Sequence, residues 1–145
     1  MRSSATHGGR LRLAAALLLA VLCSPAALAD ERVVSAVESR LYFGLSSADG
    51  TGVSEQAFAD FLAREITPRF PDGLTLISVY GQSAGATPPA VLQERTKLLI
   101  VVHPDTEDAN DAMRIIKELY VRRFGQTSVF HTRSPVEVVL PAGAR

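Results

Sequence analysis

The chain has 145 residues, 47% of them hydrophobic, and 15 basic and 15 acidic side chains that leave no formal net charge. That length fits one domain, the apolar content excludes a disordered chain, and the charge balance offers no basic footprint for nucleic acid.

The chain opens with an address. Arg2, Arg10 and Arg12 precede the Leu/Ala/Val run Leu13–Leu22, and Ala27-Leu28-Ala29 supplies the small residues of a cleavage site, so residues 1–29 read as a secretory signal peptide. The apolar run is about half of the roughly 20 residues that span a bilayer, which makes a membrane anchor the weaker alternative. Cys23 raises a second alternative, a lipid anchor, but Leu22 before it is bulkier than that processing favours, and cleavage is placed after Ala29. The mature chain is then exported, periplasmic or secreted, and cysteine-free, with 12 basic and 15 acidic side chains. Disulfides, a thiol nucleophile and cysteine metal ligands are excluded from it.

After a lead-in over residues 30–36, a single domain is expected over 37–140 and a flexible tail over 141–145. Leu41, Phe43 and Leu45 alternate with Arg40, Tyr42 and Gly44, the period of a half-buried strand. Ser54 is a candidate N-cap with Glu55 behind it, and Phe58, Phe61, Leu62 and Ile66 form one apolar helical stripe that Pro68 should end at Thr67. Leu74–Gln82 reads as a strand with Ile77 and Val79 inward. Leu98–Val102, apolar at every position, reads as a central strand. Asp105 is expected to cap a second helix that carries Ala112, Ile115, Ile116 and Leu119 inward and stops at Gly125. Thr127–Arg133 reads as a last strand, broken by Pro135 before Val136–Leu140.

Strand, helix, strand, strand, helix, strand implies an α+β fold, a ferredoxin-like βαββαβ sandwich with a four-stranded antiparallel sheet and two helices on one face. The strands should lie in the order fourth, first, third, second. The uncovered face is then expected to show Arg40, Tyr42, Tyr80, Gln82, Arg95, Lys97, Leu99, Val101, His131 and Arg133. Such a face is too apolar for water, so either Val136–Leu140 folds over it or a second copy packs on it as a homodimer. Strand directions sort the polar residues into two ends. Tyr80, Gln82, Glu94, Arg95 and Lys97 gather at one. Arg40, His103 and Arg133 gather at the other, beside the loop Arg69–Asp72.

Several motifs tempt and fail. Gly81-Gln82-Ser83-Ala84-Gly85 fits the nucleophile elbow G-x-S-x-G, but Pro88-Pro89 cannot start the helix that motif needs. His103-Pro104-Asp105 matches the tripeptide of J-domain co-chaperones but follows a strand rather than joining two helices. His103 and His131 are the only mature histidines and form no close pair, so no metal site and no cofactor are expected. His103, which leaves the sheet at a loop, and Tyr42 are the candidate acid–base residues. Arg40, Arg69, Tyr80, Gln82, Glu94, Lys97 and Arg133 are candidates for holding a small anionic ligand.

Leu41-Tyr42-Phe43-Gly44, the block Thr67–Thr75, Gly81-Gln82, Glu94, Lys97 and Arg123-Phe124-Gly125-Gln126 together resemble the bacterial exported domain-of-unknown-function family 3574. That pattern carries an aromatic after Gly-Gln where this chain has Ser83. The resemblance implies an exported single domain and no particular activity. Two functional readings follow. The first is a ligand- or partner-binding protein of the cell envelope. The alternative is a small cofactor-independent isomerase, lyase or hydrolase, with His103 or Tyr42 moving a proton while Arg40 or Lys97 holds an anionic substrate.

Overall fold

The computed structural model describes residues 31–46, 51–84 and 91–141. The expected signal peptide, residues 1–29, and residues 142–145 of the expected tail lie outside them. Four strands and two helices follow in the expected order: β1 (Glu31–Gly44), α1 (Glu55–Phe61), β2 (Thr75–Ala84), β3 (Val91–His103), α2 (Glu107–Phe124) and β4 (Phe130–Pro141). The strands form one sheet in the order β2-β3-β1-β4, every neighbouring pair antiparallel. This is the ferredoxin-like α+β arrangement read from the sequence.

Alternation along β1 sets the core. Val37, Ser39, Leu41, Phe43 and Leu45 are buried, and across the register Leu41 faces Leu99, which in turn faces Leu76. Phe58 and Phe61 of α1 and Met113, Ile116 and Tyr120 of α2 close over them. The centre is aromatic. The Phe43 ring lies 4.7 Å from that of Tyr120 and 5.5 Å from that of Phe58, each edge to face. The Tyr120 hydroxyl, taken out of water, donates to the Gly44 carbonyl at 2.7 Å. Burial and then the nearby Glu94 charge push that phenol above its ordinary range.

Local signals explain most boundaries. Ser54 caps α1, its Oγ accepting the Ala57 N–H at 3.1 Å, and Gly125 ends α2 with φ 62°. Pro68 does not end the first helical segment at Thr67. The chain runs on through a π-helical turn (Leu62–Ile66) into a 3₁₀ turn (Thr67–Arg69), where Pro68 occupies a first-turn position that needs no N–H partner. The cap of α2 is Thr106 rather than Asp105, because the Thr106 hydroxyl receives the Ala109 N–H while Asp105 turns to Asn110 and Arg133.

The tertiary structure corrects three further expectations. Residues 31–36 are the outer half of β1, and they pair with Val136–Pro141 as a two-stranded ribbon beyond the end of β3. Pro135 does not break β4, since an edge strand tolerates a residue without an N–H. Val136–Leu140 therefore stays in the plane of the sheet and does not fold over its open face. Among the described residues no helix is long and apolar enough to cross a membrane.

The third correction concerns faces. Residues directly opposite in a ladder share a face. Leu76, Ser78 and Tyr80 therefore sit with Leu99, Lys97 and Arg95 on the helix side, and Ile77 and Val79 point the other way. His131 faces Leu41 and Arg133 faces Ser39, so these too lie on the helix side. Of the residues expected on the open face, only Arg40 and Tyr42 are there. Thr75–Tyr80 is apolar at both parities, and only the pairing with β3 chooses between them.

Candidate functional site

The two ends read from the strand directions exist, and they differ in chemistry. At the β3 C-terminal end, His103 is buried. Its Nδ1 lies 2.8 Å from the Pro104 carbonyl and must donate, so Nε2 accepts from the Ser39 hydroxyl at 2.9 Å. A hydroxyl donating to imidazole is the arrangement of a serine nucleophile and its base. Here, however, Ser39 has no exposed surface, and the pair fills the core beside Phe70, whose ring is 5.6 Å from the imidazole.

Nearby cations are likewise committed. Arg133 holds Asp105 at 2.6 Å, and Arg69 reaches both the Glu65 carboxylate at 3.2 Å and the Glu65 carbonyl. Hydrogen bonds from Asn110 and then Arg133 hold the Asp105 carboxyl below its ordinary range. A shallow cleft lies between Arg69–Gly73 and the start of α2, with His103 in its wall. His131 sits farther along β4. The Lys117 ammonium can only donate to its Nδ1 at 3.4 Å, which leaves Nε2–H buried without a partner. Burial first, then the charges of Lys117 and Arg133, lower its pKa.

The Gly44 end is organised around Lys97. Its aliphatic stem lies under the helix layer, its side chain is 7% exposed, and its ammonium donates to the Ser78 hydroxyl at 2.8 Å. Its counter-charge is Glu55, on the first turn of α1. One Glu55 oxygen lies 2.6 Å from Lys97 Nζ and the other 2.5 Å from the Arg95 guanidinium, although the Glu55 side chain itself is 61% exposed. The Lys97 hydrogen bond is the main cause holding the Glu55 carboxyl below its ordinary range. A crevice of about 290 Å³ opens here, lined by Leu45, Glu55, Ser78, Tyr80, Arg95 and Lys97. Tyr80 offers an exposed ring, and its hydroxyl donates to Gln93 at 2.9 Å.

Glu94 lies on the opposite side of the same end. It accepts the Ser46 N–H at 2.9 Å and packs so tightly on Gly44 that a Cβ there would come within 2.5 Å of its carboxylate. Gln126 donates to the Ser46 carbonyl at 2.6 Å. Gly44, Glu94 and Gln126 thus fix the end of β1 around the Tyr120 hydrogen bond. Gln82 lines a separate recess with Gly81, Gln93 and Glu94.

The candidates therefore divide. Tyr80 and Lys97 share the crevice, whereas Glu94 and Gln82 border the neighbouring recess. Arg69 and Arg133 are at the other end, and Arg40 pairs with Glu38 at 2.6 Å on the open face. Tyr42 packs at a tilt against Phe130 on that open face, away from His103 on the helix side, so no acid–base pair is assembled from them. Glu55, Ser78 and Ser39 were missed. Glu55 carried only a helix-start signal, and the two serines carried none, because partners on another strand or helix are invisible to local pattern. Among the described residues no group of three or more His, Cys, Asp or Glu side chains could hold a metal ion.

The family model "Protein of unknown function (DUF3574)" matches residues 38–140. The chain belongs to this family. No curated protein matched. Two solved structures share the fold. A phage SAM lyase in complex with S-methyl-5'-thioadenosine is 15% identical with a TM-score of 0.54, the match covering 74% of this chain and 90% of that one. A phage SAM lyase in its apo state is 15% identical with a TM-score of 0.53, covering 77% and 93%. At this identity the likeness is one of fold.

Proposed function

We propose that this DUF3574 protein is an exported ligand-binding domain of the bacterial cell envelope, and that the crevice at Lys97 receives a small anionic ligand. One observation carries the reading. Lys97 is a buried ammonium at the bottom of an open crevice, with Arg95 beside it and Tyr80 offering an aromatic wall. Burying a lysine charge is costly unless an anion accompanies it, and such groups cluster where anions bind. The test is a thermal-shift titration of the purified protein with small carboxylates and phosphates. A rise in Tm that disappears in Lys97→Met is expected, and no rise with any of them counts against the reading. Export is checked on the same preparation, since cleavage after Ala29 gives Asp30 as the first residue on N-terminal sequencing.

The open sheet face supports a homodimer as the form in which the domain works. Ile77, Val102 and Phe130 are 42%, 45% and 66% exposed there, joined by Tyr42, Leu98 and Ile100. Four strands and the β1–β4 ribbon present roughly 700 Å² at ~3.3 Å per residue and ~4.8 Å between strands, close to the ~800 Å² per partner of a standard interface. Glu38 and Arg40 put both charge signs on this face, so a second copy can meet it without like-charge collision. Light scattering should give twice the monomer mass, and Phe130→Glu should give the monomer.

A second reading, a small enzyme acting on a charged small molecule, is favoured by the fold shared with a SAM lyase. Incubation with SAM, followed by chromatography for released S-methyl-5'-thioadenosine, tests it directly. No release at stoichiometric enzyme would remove SAM from consideration.

A further inference from the structure

We infer that Glu55 is an internal stand-in for the ligand's carboxylate, and that ligands of the Lys97 crevice are small carboxylates which bind by displacing it. The inference rests on the reading of this crevice as an anion site and adds the chemical class and the means of control.

The geometry is that of a bound carboxylate. One Glu55 oxygen faces Lys97 and the other faces Arg95, so a single planar group bridges both cations. A carboxylate satisfies two donors on separate oxygens in one plane without further partners. The asymmetry in burial shows which partner is fixed. Lys97 is 7% exposed and anchored by Ser78 on the neighbouring strand, whereas Glu55 is 61% exposed at the first position of α1. A carboxylate that swings outward regains water at once, while the ammonium cannot leave. Another carboxylate of the same reach therefore exchanges with Glu55 at little net electrostatic cost, leaving the contacts of its remaining atoms to decide affinity. Those atoms would lie along Leu45 and the exposed Tyr80 ring, which suits an apolar or aromatic tail over a second charge.

Displacement also sets a threshold. If Glu55 occupies the cations for all but about a tenth of the time, apparent affinity falls about tenfold below that of the open site. Glu55→Gln retains the length of the side chain and removes the competing charge.

The experiment titrates acetate, benzoate and inorganic phosphate into wild type, Glu55→Gln, Glu55→Asp and the double variant Glu55→Gln/Lys97→Met. Amide and side-chain NMR signals of Ser78, Arg95 and Thr96 report the site, and signal dispersion elsewhere reports folding. Binding of acetate or benzoate about tenfold tighter in Glu55→Gln than in wild type is expected, benzoate ahead of acetate, an intermediate gain in Glu55→Asp, and none in the double variant. Equal affinity in wild type and Glu55→Gln overturns displacement while leaving the anion site standing. A gain for phosphate alone overturns the carboxylate assignment. Absence of binding in every variant overturns both this inference and the reading beneath it, and equal gain in the double variant places the anion elsewhere and overturns it as well.

Discussion

The two ends of this sheet carry similar side chains and put them to different use. At the His103 end the candidates on the helix side are paired within the framework: His103 with Ser39 and Pro104, Arg133 with Asp105, Arg69 with Glu65. At the Gly44 end the buried Lys97 depends on Glu55, an exposed residue at the start of α1. The cations at the His103 end keep part of their surface in water, Arg133 at 43% and Arg69 at 30%, whereas Lys97 keeps 7%. What distinguishes the Gly44 end is that the counter-charge can leave while the buried charge stays.

Four measurements test that contrast. The largest effect belongs to the core both ends share. Phe43→Ala removes the ring between Tyr120, Phe58 and Phe61 and should cost ~3–5 kcal/mol in urea unfolding, loosening the Gly44 end and the His103 end together. Separate transitions at the two ends would break the picture of one cooperative domain.

Ser39→Ala comes next. It strips the buried His103 Nε2 of its donor and should cost ~1–3 kcal/mol, with ligand binding at the Lys97 crevice unchanged. Loss of binding in that variant would mean the ends are coupled.

The third compares the two members of the ion pair by thermal unfolding. Glu55→Ala leaves an ammonium buried with only Ser78, whereas Lys97→Met leaves a carboxylate that is already mostly in water. Glu55→Ala should therefore lower Tm more than Lys97→Met, and the reverse order would show that Lys97 is not the buried partner.

The smallest effect is a pH dependence at His131. Its folded pKa lies below the ordinary histidine value of about 6.5, so the unfolded chain binds the proton more readily. The stability this contributes is present above that value and declines as pH falls through it toward the lower folded pKa. His131→Phe should flatten the slope of stability against pH in that window, and an unchanged slope would assign it to other groups.

Much of this was legible in the chain. The alternation of Leu41, Phe43 and Leu45, the stripe from Phe58 to Ile66, the Ser54 cap and the Gly125 stop are local features with local causes, and they led to the right element order and sheet topology. Strand direction alone also put Tyr80, Glu94, Arg95 and Lys97 at one end and His103 and Arg133 at the other, while Arg40 lies mid-strand on the open face. Pattern failed at residues 31–36, which become strand only because Val136–Pro141 pairs with them. It failed again on the faces of β2 and β3, where apolar residues stand at both parities.

What the sequence by itself determined, then, is an α+β domain with a mixed aromatic and aliphatic core, since periodicity, caps and turn residues act over a few positions. The tertiary structure alone decided the site. Glu55 and Lys97 are far apart in the chain, and their meeting depends on which face β3 turns toward α1. That choice is made by Leu41, Leu99 and Leu76 packing in register, one residue of slip being enough to send Lys97 to the opposite face.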